Sequence, residues 1–301
     1  MRGLLLIKTM FTLALASPLA RAASWSVTVS DLTGRYSSLY STMISHTQIA
    51  GQTWSNFMQA SGASIDVQIL IHDVPSNRGG GGSSTTRLLK TVNGIKIYEQ
   101  GAAWELRTGT DPNGATADIV IDLDPDYIDT QMWFDPSPLT RSVPVPNNRI
   151  DDMSVFLHEL GHAIAMNGWR DWTTAQLPAD YESTFDQFVT TVGSVNYFNG
   201  PVSTALYGGP VPLKATNLYH VGNSAPLPGT DLIPDLMNGV VFNWGQRYYI
   251  SQLDRAIFLD SGVPISVPEP VGSTAICSCI LLHVARRRRI WPRRCYRSSL
   301  T

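Results

Sequence analysis

The stretch from Asp151 to Gly168, DDMSVFLHELGHAIAMNG, constrains this chain more than any other. It contains His158-Glu159-Leu160-Gly161-His162, an H-E-x-x-H pattern. On an α-helix, positions four apart lie one above the other on the same face. His158 and His162 can therefore aim imidazole nitrogens at one metal ion, and Glu159 lies at the edge of that face, where it can reach a water bound there. Two imidazoles and a carboxylate at this spacing suit zinc, with the carboxylate as general base. The local pattern predicts the helix that the chemistry needs. Asp151 and Asp152 suit its N-terminus, by capping or by favouring the dipole. Val155, Phe156, Leu160, Ala163, Ile164 and Met166 supply apolar surface, and Asn167-Gly168 is a stop signal. The alternative is a helix that happens to carry two histidines; the apolar helical context around the motif favours the metal.

The rest of the composition bounds the class. The chain has 301 residues, 43% hydrophobic and 15% charged, with 24 Gly and 19 Pro. That describes a folded, loop-rich protein of one large domain or two small ones. The formal net charge of −2 conceals an asymmetry. Basic residues crowd both ends (Arg2, Lys8 and Arg21; then seven Arg from Arg286 to Arg297). Between 23 and 263 only 12 of the 22 basic residues remain, against 23 of the 24 acidic ones, a net charge near −11. An acidic body argues against a nucleic-acid partner.

The N-terminus reads as an export signal. Arg2 and Lys8 are basic, Met10 to Ala16 is mostly apolar, and Ala20-Arg21-Ala22 is a small-x-small cleavage site. The apolar run is short for a membrane span. All three cysteines (Cys277, Cys279, Cys295) lie near the C-terminus, so the body holds neither a disulfide framework nor a cysteine-ligated metal.

Residues 24 to 60 read as a helical lead-in, either prosegment or part of the domain. Ser64 to His72 alternates as a strand. Asn77 to Thr86, with glycines at 79 to 82, reads as a flexible surface loop, because no phosphate-binding pattern follows it. Ile95 to Gln100, Ala103 to Thr108 and Ala117 to Leu123 read as further strands, with a turn at Asp111-Pro112-Asn113-Gly114. Asp122, Asp124, Asp126 and Asp129 could hold calcium, but lack EF-hand spacing and read as a solvated loop. A Pro-rich loop from Trp133 to Asn148 leads to the central helix.

A catalytic zinc takes three protein ligands and keeps an open position. Two candidates for the third are present. Glu182 lies twenty residues after His162 and is followed by Asp186; this resembles the gluzincin pattern, in which the Asp orients a histidine. His220, in NLYHVGN, is followed by Met237 in PDLMNG; this resembles the metzincin pattern, in which the methionine forms a floor under the metal. The short metzincin form is not met, because Ala165 and Gly168 stand where its Gly and final His would be. The helix, long insertion, late histidine and Asp235-Leu236-Met237 turn together resemble the leishmanolysin-like metzincins and exported bacterial metalloproteases of that spacing. FDQFV (185–189), GGPVPL (208–213), Gly245, Arg247, Ile250-Ser251 and Leu253-Asp254 extend the resemblance over roughly residues 95 to 262. It favours His220 over Glu182, and implies an edge strand above the metal that binds peptide by strand addition. Where some metzincins carry a tyrosine two residues after the methionine, this chain has Gly239.

The C-terminal order is Val267-Pro268-Glu269-Pro270, a largely apolar run from Val271 to Ala285, then four arginines. Physically this is an exported segment that stalls in a membrane with its basic end on the cytoplasmic side. It resembles the PEP-CTERM sorting signal of exopolysaccharide-forming Gram-negative bacteria, which is read by an exosortase. Residues 290 to 301 extend past the arginine cluster and depart from that pattern.

The expectation is therefore an α+β protein: a metzincin-like domain with a twisted N-terminal sheet, an active-site helix, and a mostly irregular or helical C-terminal half bearing a Met-turn. Residues 1–22 would be the signal peptide, 23–263 the catalytic domain, 264–290 the sorting or anchor segment and 291–301 a basic tail. The resemblance implies a zinc-dependent endopeptidase of the cell envelope or matrix. Its base would be Glu159, its ligands His158, His162 and either His220 or Glu182, and its partners a protein or peptide substrate and the export and sorting machinery. The alternatives are a catalytically silent metal-binding surface protein and a gluzincin-type peptidase.

Overall fold

The computed structural model describes residues 23–59, 62–76 and 78–266. The export segment (1–22) and residues 267–301, with the sorting motif and basic tail, lie outside the described residues. The elements in chain order are β1 (Ser24–Asp31), α1 (Tyr40–Ser55), β2 (Ser64–Ile71), β3 (Gly79–Ser83), β4 (Thr86–Val92), β5 (Ile95–Gln100), α2 (Gly101–Thr108), β6 (Ile119–Leu123), α3 (Pro125–Thr130), β7 (Met132–Trp133), β8 (Ile150–Asp151), α4 (Asp152–Ile164), β9 (Tyr181–Ser183), β10 (Val189–Val192), β11 (Val195–Phe198), α5 (Pro201–Tyr207), β12 (Val211–Pro212) and α6 (Gln252–Asp260). The class is mixed α+β, with several sheets and six α-helices among the described residues. None of these helices is long and apolar enough to cross a membrane.

The main sheet has the order β1-β2-β6-β3. β1, β2 and β6 are parallel, and β3 closes one edge antiparallel to β6. In β2, Ile65, Val67, Ile69 and Ile71 are buried while Ser64 and Asp66 are exposed, the period-two alternation of a strand with one face in the core. Ile119, Ile121 and Leu123 of β6 continue that core face. α1 and α4 pack on each other, with α1 against β1 and α4 against β3 and β6. At the helix junction Trp54 of α1 is fully buried. It stacks on Phe258 of α6 (4.4 Å between centroids) and donates its indole N–H to the Leu157 carbonyl at 3.0 Å. Burying that ring joins α1, α4 and α6 into one core.

Four sequence expectations need correction. The lead-in begins with a strand: SWSVTVSD alternates Trp25 and Val27 inward, and it pairs with β2 over its whole length. Residues 24–55 are therefore integral to the main sheet and its covering helix. The run Ala103 to Thr108 is helical, as most of α2. The helix is ended by Gly109 in the left-handed conformation (φ 70°), whose N–H bonds the Glu105 carbonyl. The glycine run 79–82 is an ordered edge strand, β3. Glycine normally weakens strands unless another backbone must come close. Here it must: a Cβ on Gly81 would lie 2.3 Å from the Glu159 carbonyl oxygen. Finally, residues 264–266 belong to the body, since Ile265 bridges to Met58 and the Ser266 N–H bonds the Phe57 carbonyl.

The acidic stretch is dispersed. Asp122 bonds His72 (2.9 Å), Asp129 pairs with Arg35 (2.6 Å), and Asp124 caps α3 through the Asp126 N–H while its other oxygen accepts from Val74. These carboxylates form no joint cation cluster among the described residues.

Candidate metal centre

Every residue of α4 is buried, so each of its polar side chains needs a partner. The N-terminus meets that need with charge. Asp151 caps the helix by accepting the Ser154 N–H at 2.9 Å, and it pairs with both Arg141 and Arg247. Arg247 also pairs with buried Asp135 at 2.6 Å, and Asp152 pairs with buried His46. Three carboxylates around a helix N-terminus complement its dipole, and their arginine and histidine partners bind α4 to the loops on either side. Apart from Arg141, ten residues before Asp151, these partners carry little sequence signal, since they arise from segments some 100 residues apart in the chain (His46 and Asp152, for instance).

One helical turn on, the ring nitrogens of His158 and His162 are fixed by carbonyls. His158 Nδ1 donates to the Leu236 carbonyl (2.7 Å) and His162 Nδ1 to the Met166 carbonyl (2.8 Å). A carbonyl only accepts, so Nδ1 carries the proton and Nε2 presents a lone pair. His220 joins them from 58 residues away. The three Nε2 atoms are mutually 3.0 Å apart. Burial, with the neighbouring His162 imidazole, holds His158 at about 3; burial holds His162 at about 4; and burial, with the two other imidazoles, holds His220 well below the usual histidine value. All three rings are thus neutral at ordinary pH. Two inward lone pairs, with the His220 Nε2 at the same separation and its Nδ1 without a partner, make a site that a cation would satisfy. Tetrahedral zinc with bonds of about 2.0–2.1 Å would space its nitrogens about 3.3 Å apart, near the observed value. The donor set therefore fits a divalent transition metal of the zinc type, although imidazoles alone do not single out zinc.

The turn after residue 234 shapes this site. The Asp235 side chain accepts the Met237 N–H at 3.0 Å, and the Asn238 side chain donates to the Asp235 carbonyl at 2.9 Å. The Val221 N–H bonds the Met237 carbonyl, and the Gly239 N–H bonds the Val221 carbonyl. The turn is thereby locked to the segment carrying His220. Met237 is fully buried against α4, where a Cβ on Gly161 would meet its sulfur at 2.6 Å. The glycine inside H-E-x-x-H is needed for that contact. Gly239 is needed for another, since its Cβ would lie 2.6 Å from that of His220.

Glu159 projects from α4 beneath β3. Burial pushes its carboxyl up to about 8, while the Gly81 backbone N–H favours the charged form and the Asp122 carboxylate opposes it. The three histidines and Glu159 line one cleft of about 690 Å³, roofed by Gly79, Gly80 and Gly81 and bordered by Tyr127, Trp172, Tyr219, Val241, Phe242 and Trp244. β3 is the last strand of its sheet, and no strand among the described residues pairs with its outer edge.

Glu182 and Asp186 are elsewhere. Glu182 lies in β9 and pairs with Arg170 at 3.2 Å. Asp186 accepts the backbone N–H groups of Trp169 and Ser183 and lies against Gly168, with Tyr219 as its neighbour. It bonds none of the three histidines. Sequence reasoning missed the glycine strand and Tyr127 as cleft residues. Four consecutive glycines were the available signal, but nothing local says whether they are loose or closely packed. In comparison with known proteins, the chain matches no family model, no curated protein and no solved structure.

Proposed function

We propose that this protein is a zinc-dependent endopeptidase of metzincin-like fold. The observation that carries the reading is the convergence of the His158, His162 and His220 Nε2 atoms beside Glu159, in a cleft whose roof is an unpaired strand edge. His158, His162 and His220 would hold the ion, with Met237 packed beneath. The ion, when bound, supplies positive charge that acidifies a water and polarises a carbonyl. Glu159 takes the proton of the attacking water on its carboxylate and returns it to the leaving amine. β3 would receive an extended peptide along its outer edge, as a further strand of the sheet, with the Gly81 N–H, which faces Glu159, released to it. Because β3 is glycine from 79 to 82, no β3 side chain would compete with those of the substrate along that edge. Glu182 is not part of this assignment, since its carboxylate is committed to Arg170.

The reading extends to export and PEP-CTERM-type sorting from residues 1–22 and 267–301, on the sequence patterns alone. Envelope fractionation of cells making the intact chain, or the chain without residues 267–301, tests it: equal distribution of the two would remove the sorting proposal.

The test of the enzyme is metal content and casein cleavage of the full chain as wild type, Glu159→Ala, His220→Ala and Glu182→Ala. His220→Ala should lose zinc, Glu182→Ala should keep it, and Glu159→Ala should keep zinc and lose cleavage. Zinc retained by His220→Ala would end the three-histidine assignment. Wild type that holds zinc and cleaves no protein offered would instead support a metal-binding surface protein.

A further inference from the structure

A second group of ligand-type side chains lies at the C-terminal end of α2 and the loop that follows it. One carboxylate oxygen each from Glu105, Asp111 and Asp118 lies within 4.8 Å of the other two. Glu105 and Asp118 are 2% and 3% exposed, and in each only one oxygen is engaged. Glu105 Oε1 accepts the Ser64 N–H at 3.1 Å, and Asp118 Oδ2 accepts the Asp66 N–H at 2.8 Å. Their other oxygens, Glu105 Oε2 and Asp118 Oδ1, are buried with no donor bonded to them, and the two carboxyls lie within hydrogen-bonding reach of each other. No ion pair reaches the three carboxylates among the described residues. Arg87 bonds the Pro112 carbonyl of the same loop, and Arg107 of α2 pairs with Glu99. Two buried carboxylate oxygens beside a third acid, with no donor bonded to them, are costly unless a cation or a proton joins them.

We infer that Glu105, Asp111 and Asp118 form a second cation site, separate from the three histidines, for a hard divalent ion of the calcium type. An all-oxygen donor set selects hard cations over zinc. Oxygens bound to one calcium at about 2.3–2.6 Å can be no more than about 5 Å apart, which these satisfy. Burial, reinforced by Asp118, pushes Glu105 up to about 7, and burial raises Asp118 as well, so the negative charge here is uncompensated and either a cation or a proton held between Glu105 and Asp118 relieves it. The ion would tie α2 to the loop 111–118 and so to the start of β6. The competing occupant is a proton shared by the buried pair.

Thermal denaturation of the chelator-treated full chain, with calcium chloride alone or magnesium chloride alone, separates them. At about 10 mM calcium, a tenfold excess over the ~1 mM dissociation constant of weak calcium modules, Tm should rise by about 3 °C or more. Glu105→Gln and Asp118→Asn should abolish the rise. Asp111→Asn, at an exposed position and so tolerated even if the buried variants fail to fold, should reduce it. The double variant His158→Ala/His162→Ala should keep it, which separates this site from the histidine site. An unmoved wild-type Tm would overturn the proposal, as would an equal rise in Asp111→Asn and wild type. A Tm that responds to acidification from about pH 8 to about pH 6 but not to calcium would assign the pair to a shared proton instead.

Discussion

Replacing Gly81 by alanine tests the seat of β3 on α4. A Cβ there would lie 2.3 Å from the Glu159 carbonyl oxygen, 2.7 Å from its carbonyl carbon and 2.7 Å from its Cβ. All three are backbone or backbone-fixed atoms of a fully buried helix, so no rotamer change relieves the overlap. Ordinary contact needs about 3.5 Å, so β3 must withdraw by about 1 Å or break its pairing with β6. Overpacking of this kind costs about 1–3 kcal/mol. At 2–4 °C per kcal/mol for a chain of this size, Tm should fall by about 2–12 °C. If the cleft is a peptidase site, the same shift moves the strand edge relative to Glu159, and a misplacement of about 1 Å lowers cleavage about a hundredfold. Gly80→Ala is the matched control: its Cβ would meet nothing within 4 Å, and its backbone requires no left-handed φ. Both variants add one methyl group to the same strand, so strand propensity changes alike in each. Differential scanning calorimetry gives the stability and a casein assay the activity. Equal Tm and equal cleavage in Gly80→Ala and Gly81→Ala would refute the close packing, and with it the ordered roof of the cleft.

Other perturbations address the supports of α4 and the left end of the main sheet. Arg247→Met removes the partner of buried Asp135 and one of the two arginines on Asp151; it should destabilise the fold by about 3–5 kcal/mol in urea unfolding, and a loss under about 1 kcal/mol would mean the pair carries no net stability. Gly239→Ala places a Cβ 2.6 Å from that of His220 and 2.9 Å from Lys214 Cγ; zinc content should drop while helix content by circular dichroism stays, and full zinc occupancy would contradict the proposed geometry. Asp31 accepts from Thr33, Gly34, Tyr36 and Tyr40. Burial works upward on it, but these bonds prevail and lower it from 3.8 to about 2. A depressed carboxylate stabilises the fold above its unfolded value and loses that contribution as pH falls through the folded one. Asp31→Asn should therefore flatten the fall of Tm between about pH 4 and pH 2, and an unchanged slope would remove this role.

What a reader of the residues alone could find is set by short-range chemistry. α4 carries its own instructions: an aspartate cap, an apolar interior and two histidines four apart, all within some fifteen residues. The structure puts its first residue at Asp152 and its cap at Asp151. β2 and β6 are legible because apolar residues recur at alternate positions in SIDVQILI and IVIDL, and the structure buries those positions. The same alternation was present in SWSVTVSD of β1 but was overshadowed by the helical stretch that follows. AWELRT (103–108) is too short for a helical period to declare itself, and the end of α2 depends on the left-handed turn at Gly109.

Tertiary structure decided the rest, because it depends on which distant segments meet. Glu182 and His220 were both plausible third partners for His158 and His162, and chain separation could not choose between them. The choice follows from packing: the strand containing Glu182 pairs with β5, where Arg170 takes its carboxylate, while the segment of His220 is bonded to the Met237 turn beneath α4. Four glycines in a row are permissive in isolation. They became a strand because β6 supplies the backbone partners and α4 approaches too closely for any side chain at position 81. The buried oxygens of Glu105 and Asp118 are likewise a product of the fold, since each is drawn inward by a backbone N–H of β2. Residue identities determined which side chains could hold a metal or move a proton. Only long-range packing decided which of them stand together.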